Sequence, residues 1–378
     1  MYHFDIYIDR SNTDSTKWNK YAETEVLPFW VADMDFAAPR FVLDAVRERL
    51  DHPILGYTET PPDLVSAFIE WAATTYSWTI SEDWLVWLPG VVPGLNLAGR
   101  ALGAPGDSII VPTPVYHPFL SVPRHGAKRM IEVQLDAGGW TLDAERIDKC
   151  IDADTCALLL CNPQNPTGRV YTRDELLQLA EICVRRNIVL VSDEIHCELI
   201  LDADKQHIPV GSLSREIADR SITLYGPNKT YNIAGLGSAV AVIPNAALRR
   251  RFKAARAGLT GNVSALAYAA AGAAYADRTD YTAQLCHYLR GNRDALASAI
   301  NALEGVTMTH VEGTYLAWLD FRARNLEDPM AYLEQRGLGL SNGADFGAPG
   351  YLRFNFACPG SLLQRGIERL RTALESAP

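Results

Sequence analysis

Through the middle of the chain, short and continuously apolar runs alternate with amphipathic stretches. Trp84 to Leu88, Ser108 to Val111, Ala157 to Cys161, Ile188 to Val191, Ser221 to Tyr225 and Ser238 to Ile243 read as strands. Between them lie helical patterns: Pro89-Gly90 turns into a helix through Leu95, Ala98 and Leu102. Thr172-Arg173-Asp174-Glu175 has the spacing of a capping box, ahead of an apolar face of Leu176, Leu179, Ala180 and Cys183. Strands with no polar alternation, each followed by a helix, predict a mostly parallel sheet covered on both faces. Beyond about Val263 the pattern changes to an Ala-rich helix reaching about Ala276, a long helix from Tyr281 to Leu303, and strands at Tyr315 to Phe321 and Tyr351 to Phe356. This predicts a large α/β domain over 46–270 and a smaller α+β domain over 271–378. The N-terminal segment 1–45 contains no βαβ unit and is expected to pack with the small domain.

Bulk composition narrows the function. The 378 residues are 48% hydrophobic, ample for two cores, and carry a formal net charge of −10 with no block of like charge. Arg249, Arg250 and Arg251 are the densest basic cluster and read as a solvated helix face, so no nucleic-acid footprint is expected. Seven cysteines, an odd count without a C-x-x-C pair, suggest reduced thiols, no metal site and a cytoplasmic location. No signal peptide or membrane span is expected.

The candidate chemistry sits in loops at strand ends, where ligands of parallel sheets bind. Lys229 follows the strand Ser221 to Tyr225 and a Gly226-Pro227 turn. Asp193 follows Ile188 to Val191. Asn165 lies in Asn162-Pro163-Gln164-Asn165-Pro166-Thr167-Gly168. An amine, a carboxylate and an amide so placed are what a pyridoxal phosphate (PLP) site requires. The lysine forms the Schiff base and serves as base at the substrate Cα, and the carboxylate keeps the pyridine nitrogen protonated. Each has a plainer alternative: an exposed lysine, a cap, a turn. Gly90-Val91-Val92-Pro93-Gly94 is either an anion-binding helix start or an ordinary strand–helix turn. Tyr116 either stacks on a ring or packs. Arg353, inside an apolar strand, either binds a substrate carboxylate or faces water.

These motifs carry a resemblance. NPQNPTG, SDEIH and NKTYNIAGL resemble those of the fold-type I PLP enzymes, the aspartate aminotransferase superfamily. The opening Phe4 to Trp18, WVADMDF, GVVPGL, TPVYHPF, GTYLAWLDFR and LRFNFACP are similar to the MalY/PatB group of cystathionine β-lyase-like C–S lyases. The resemblance implies a seven-stranded, mostly parallel sheet sandwiched by helices. It also implies Lys229 as the Schiff-base lysine, Asp193 on the pyridine nitrogen, Asn165 on the ring oxygen, Tyr116 on the ring face, and backbone at Val91 and Val92 on the phosphate. Arg353 would take the substrate carboxylate, with Asp33 on the substrate side. Tyr57 would reach the partner subunit's phosphate in a homodimer. His196 stands where ordinary aminotransferases of the superfamily carry tyrosine. Asn228 departs from the serine usual in the group, and its amide is expected to donate to phosphate. The implied activity is α,β-elimination on cystathionine or related S-substituted cysteines. An aminotransferase and a PLP-bound regulatory protein are the alternatives.

Overall fold

A computed structural model describes residues 2–375. Its centre is a seven-stranded sheet built from β1 (Leu85–Leu88), β2 (Ser108–Thr113), β3 (Arg129–Gln134), β4 (Thr155–Cys161), β5 (Val189–Asp193), β6 (Ser221–Tyr225) and β7 (Ala239–Val242). The spatial order is β1-β7-β6-β5-β4-β2-β3. All pairings are parallel except those of β7, which runs against both β1 and β6. The continuous apolar strands are explained by burial on two faces. In β4, Ala157, Leu159 and Cys161 enter one core with the helix Val91–Ala101, while Leu158 and Leu160 enter another with the helix Arg173–Arg186. That second helix starts with the capping box at Thr172 and Glu175.

The patterning did not reveal β3, whose sequence RMIEVQ is largely exposed at the sheet edge. Edge strands lack the apolar signature because one side and one face meet water. Nor did it reveal the helices Arg40–Asp51 and Pro62–Tyr76.

A second sheet holds β8 (Thr307–Met308), β9 (Leu316–Asp320), β10 (Ser341–Asn342) and β11 (Tyr351–Asn355) in the order β10-β11-β9-β8, antiparallel throughout. Its core is shared with the helices Tyr281–Asn301 and Gly360–Glu375 and with Phe4, Leu27, Phe29, Met34 and Phe36 from the start of the chain. Leu27 and Pro28 also pair in parallel with Leu338 and Gly339.

The two units are stitched together beside the 162–168 loop. The Gly168 carbonyl accepts from the amides of Glu312 and Gly313, and the Glu312 carboxylate accepts from the Val170 amide and pairs with Arg169 and Lys205. Gly168 has φ +76°, and a Cβ there would meet Val311 Cγ1 at 2.8 Å. Gly168→Ala is therefore expected to cost about 1–3 kcal/mol of stability. Urea unfolding checks this; an unchanged midpoint would contradict the close approach.

Candidate active site

Because β1, β2, β4, β5 and β6 point the same way, their carboxyl ends open on one edge of the sheet. The Pro89-Gly90 turn and the loops carrying Tyr116, Asn165 and Lys229 follow those ends, and Asp193 is the last residue of β5. β7 begins at the same edge. Gly237, at φ +65° just before it, lets its backbone come close to the Pro89 carbonyl, which a Cβ would meet at 2.9 Å.

The second sheet closes this edge with Arg353 from β11. The guanidinium is buried and donates to Asn165 Oδ1 at 3.0 Å and to the Trp30 carbonyl at 2.7 Å. Its Nε has no partner, and among the described residues no carboxylate lies within ion-pair reach. Burial pulls its pKa down to about 10. A buried cation without an anion is costly unless a ligand supplies one.

Asp193 is the reverse case. It is buried, accepts from the Ile195 amide at 3.1 Å, and has no cationic partner within ion-pair reach among the described residues. Burial raises its pKa to about 7. Lys229 lies between these charges. Its Nζ donates to the Ala32 carbonyl at 2.7 Å. Burial, with Arg353 adding repulsion, lowers its pKa to about 8. His196 is buried with Nδ1 unpartnered, its ring edge-on to Tyr315, and burial holds it neutral. Tyr116 is half-buried, and its amide donates to the Asn165 carbonyl at 3.0 Å. Val91 and Val92 open the helix Val91–Ala101, which has no side-chain cap.

One expected contact differs. Asp33 does not face the cleft as a free carboxylate: it is paired with Arg10 at 2.7 Å and lies 3.7 Å from Lys17. Asp35 completes this cluster, holding Lys17 at 2.6 Å and Arg10 at 2.8 Å. Two cations packed with two anions tie Asp33 into a balanced cluster. The Asn228 amide nitrogen gives one of its two N–H groups to the Ser238 carbonyl at 3.0 Å. The buried backbone entering β7 needs that donor. Tyr57 is fully exposed, on the irregular stretch 53–61 with exposed Ile54 and Leu55.

Other residues were not singled out by sequence. Tyr315 donates to the Ala32 carbonyl at 2.9 Å. Asn355 donates to the Val31 and Asp33 carbonyls, and Asn232 to those of Met34 and Phe36. The available signal for Asn355 was a polar side chain in an apolar strand, two residues after Arg353.

The profile of the class I and II aminotransferases matches residues 24–370. The chain belongs to that family. Within the family it is 38% identical over 388 residues to cystathionine β-lyase PatB of Bacillus subtilis (strain 168), covering 98% of this chain and 99% of the relative. Its fold superposes on the crystal structure of OvoB with a TM-score of 0.97 at 41% identity, covering 100% of both chains. Cystalysin of Treponema denticola, whose crystal structure contains pyridoxal 5'-phosphate, gives 0.95 at 32% identity, again over 100% of both.

The cleft of this family member suits the same cofactor. The unpaired Asp193 matches a protonated pyridine nitrogen, the uncapped helix start matches a phosphate, and the depressed Lys229 amine matches an aldehyde carbon. The Asp193 charge has a consequence for stability. Its folded pKa of about 7 lies above the ordinary unfolded value of about 3.9. Its contribution is therefore full below pH ~4 and lost as pH rises through 7. In cofactor-free protein, Asp193→Asn should gain on the wild type by up to roughly 3–4 kcal/mol between pH 4 and pH 8. Urea unfolding at both pH values tests this, and a pH-independent difference would contradict it.

Proposed function

We propose that this chain is a PLP-dependent carbon–sulfur lyase. It acts on cystathionine or other S-substituted cysteines and releases a thiol, pyruvate and ammonia. The observation that carries the reading is the buried, anion-free Arg353 beside the depressed Lys229 amine: one binds an α-carboxylate, the other handles the proton on the adjacent carbon. The likeness to PatB supports the thioether chemistry, and the likeness to cystalysin supports the cofactor.

When bound, pyridoxal phosphate supplies a sink for the electron pair left at the substrate Cα. Lys229 holds the cofactor and, as a free amine, takes the Cα proton. Its pKa near 8 leaves a useful neutral fraction at neutral pH. Asp193 would hold the pyridine nitrogen, Asn165 the ring oxygen, Tyr116 the ring face and the Val91 and Val92 amides the phosphate. Asn165 is tied to Arg353, so the carboxylate clamp and the ring contact are oriented as a unit. Loss of the Cα proton allows the Cβ–S bond to break. The thiol departs, and the three-carbon remainder takes up water to leave as pyruvate and ammonia.

We further propose a homodimer in which Tyr57 completes the partner's phosphate site; the exposed Ile54, Leu55 and Tyr57 support that surface. The seven free thiols fit a reducing, cytoplasmic setting, and among the described residues no helix is long and apolar enough to cross a membrane. Aminotransfer is the second reading, favoured by the family match itself. It uses the same residues to remove the Cα proton and differs in where the proton returns.

Lys229→Ala is expected to abolish pyruvate release, a drop of at least about 10³-fold, along with covalent attachment of the cofactor. Retained turnover would overturn the assignment. Arg353→Ala should raise KM by roughly 10–10² through loss of the charged bidentate contact, as read from steady-state kinetics on an S-alkylcysteine. An unchanged KM would remove Arg353 from the substrate site.

A further inference from the structure

Lys229 Nζ and the Tyr315 hydroxyl converge on one acceptor, the carbonyl of Ala32, at 2.7 and 2.9 Å. That carbonyl cannot swing away. The Phe29 carbonyl accepts from the Asn355 amide, the Trp30 carbonyl from Arg353 and Ser341, and the Val31 and Asp33 carbonyls from Asn355 Nδ2. The Met34 carbonyl accepts from Asn232. Tyr315 is equally fixed: it is fully buried just before β9, and its ring packs edge-on against His196.

A carbonyl oxygen has two lone pairs, so it can serve both donors at once. The two acceptances are not independent. A hydroxyl on one lone pair draws electron density from the oxygen and makes it a weaker partner for an ammonium on the other. A neutral amine that gives one N–H to a fixed carbonyl also loses free rotation about Cε–Nζ. Its lone pair then points in a restricted set of directions, as a base acting on one particular proton needs.

We propose that the Ala32 carbonyl is the dock of the free Lys229 amine, and that Tyr315 is the positioning residue that fixes and tunes this dock. This deepens the lyase reading and rests on it for the use made of the neutral amine. The other charged or titratable groups around Lys229 are Arg353 from β11, Asp193 from the end of β5, Asp33 from the N-terminal segment and His196 from the loop after β5. Asp33, Arg353 and Tyr281 surround Tyr315. None of these donates to the Ala32 carbonyl, so the shared acceptor is specific to Lys229 and Tyr315.

The test titrates Lys229 directly in full-length, cofactor-free protein. The rate of its acylation by acetic anhydride is followed against pH and resolved by peptide mass spectrometry. Tyr315→Phe removes the competing donor, leaves the carbonyl a better acceptor for the ammonium, and should raise the Lys229 midpoint by roughly half to one pH unit. In the cofactor-loaded enzyme the acid limb of kcat should move up by the same amount, with KM unchanged. Site-specific 3-fluorotyrosine at position 315, a stronger donor of nearly the same shape, should move the midpoint the other way; it also covers the case in which Tyr315→Phe does not fold. An unchanged midpoint in folded protein for either substitution overturns the proposal. The acylation readout needs no substrate, so a chain that proved not to be a lyase would leave the dock standing. A lyase with unshifted acylation would sink the dock alone.

Discussion

The backbone carbonyls of residues 29–34 are the constraint on which the site depends. This segment forms no ladder and is half-buried, with Phe29 and Met34 fully removed from water. Its carbonyls must therefore find donors, since a buried unpaired carbonyl costs about as much as a lost hydrogen bond. The donors come from both units: Arg353, Asn355 and Ser341 from the second sheet, Lys229 and Asn232 from the loop after β6, and Tyr315 from the strand entry between them. Satisfying one strip of main chain thus gathers the groups that the proposed chemistry uses.

Charge is distributed unevenly around this strip. On its outer side Arg10, Lys17, Asp33 and Asp35 form a balanced cluster, with Lys17 fully buried. Removing one member would strand a partner, a loss of about 3–5 kcal/mol for a buried pair. On its inner side Asp193, Lys229 and Arg353 are buried without direct ion-pair partners among the described residues, and each pKa moves toward the neutral form. The balanced cluster anchors the segment. The unbalanced groups are where ligands of matching charge gain most.

Much of this was legible in the chain, for identifiable reasons. Doubly buried strands such as β4 and β6 announce themselves by unbroken apolar runs, and the helix at Arg173 by its capping box. Strand-end loops can be placed on one edge once the sheet is read as mostly parallel. The edge strand β3 escaped because its exposed face dilutes the signal. The reversed direction of β7 is a pairing choice that local pattern does not encode. In the site, the charged side chains stood out by residue type. The Ala32 carbonyl could not, because a backbone acceptor carries no sequence letter, and Tyr315 read as one more aromatic in an apolar strand. The pairing of Asp33 with Arg10 is equally invisible, since it joins two loops of the N-terminal segment only after folding.

In the proposed reaction, removal of the Cα proton leads to loss of the β-thiol rather than to amino-group exchange. The direct measurement incubates the PLP-loaded protein with cystathionine and no keto acid, and follows thiol and pyruvate over many turnovers. A lyase sustains release of both in equal amounts. A single equivalent of keto acid per site, followed by a halt that only added keto acid relieves, would contradict the lyase reading and mark the chain as an aminotransferase.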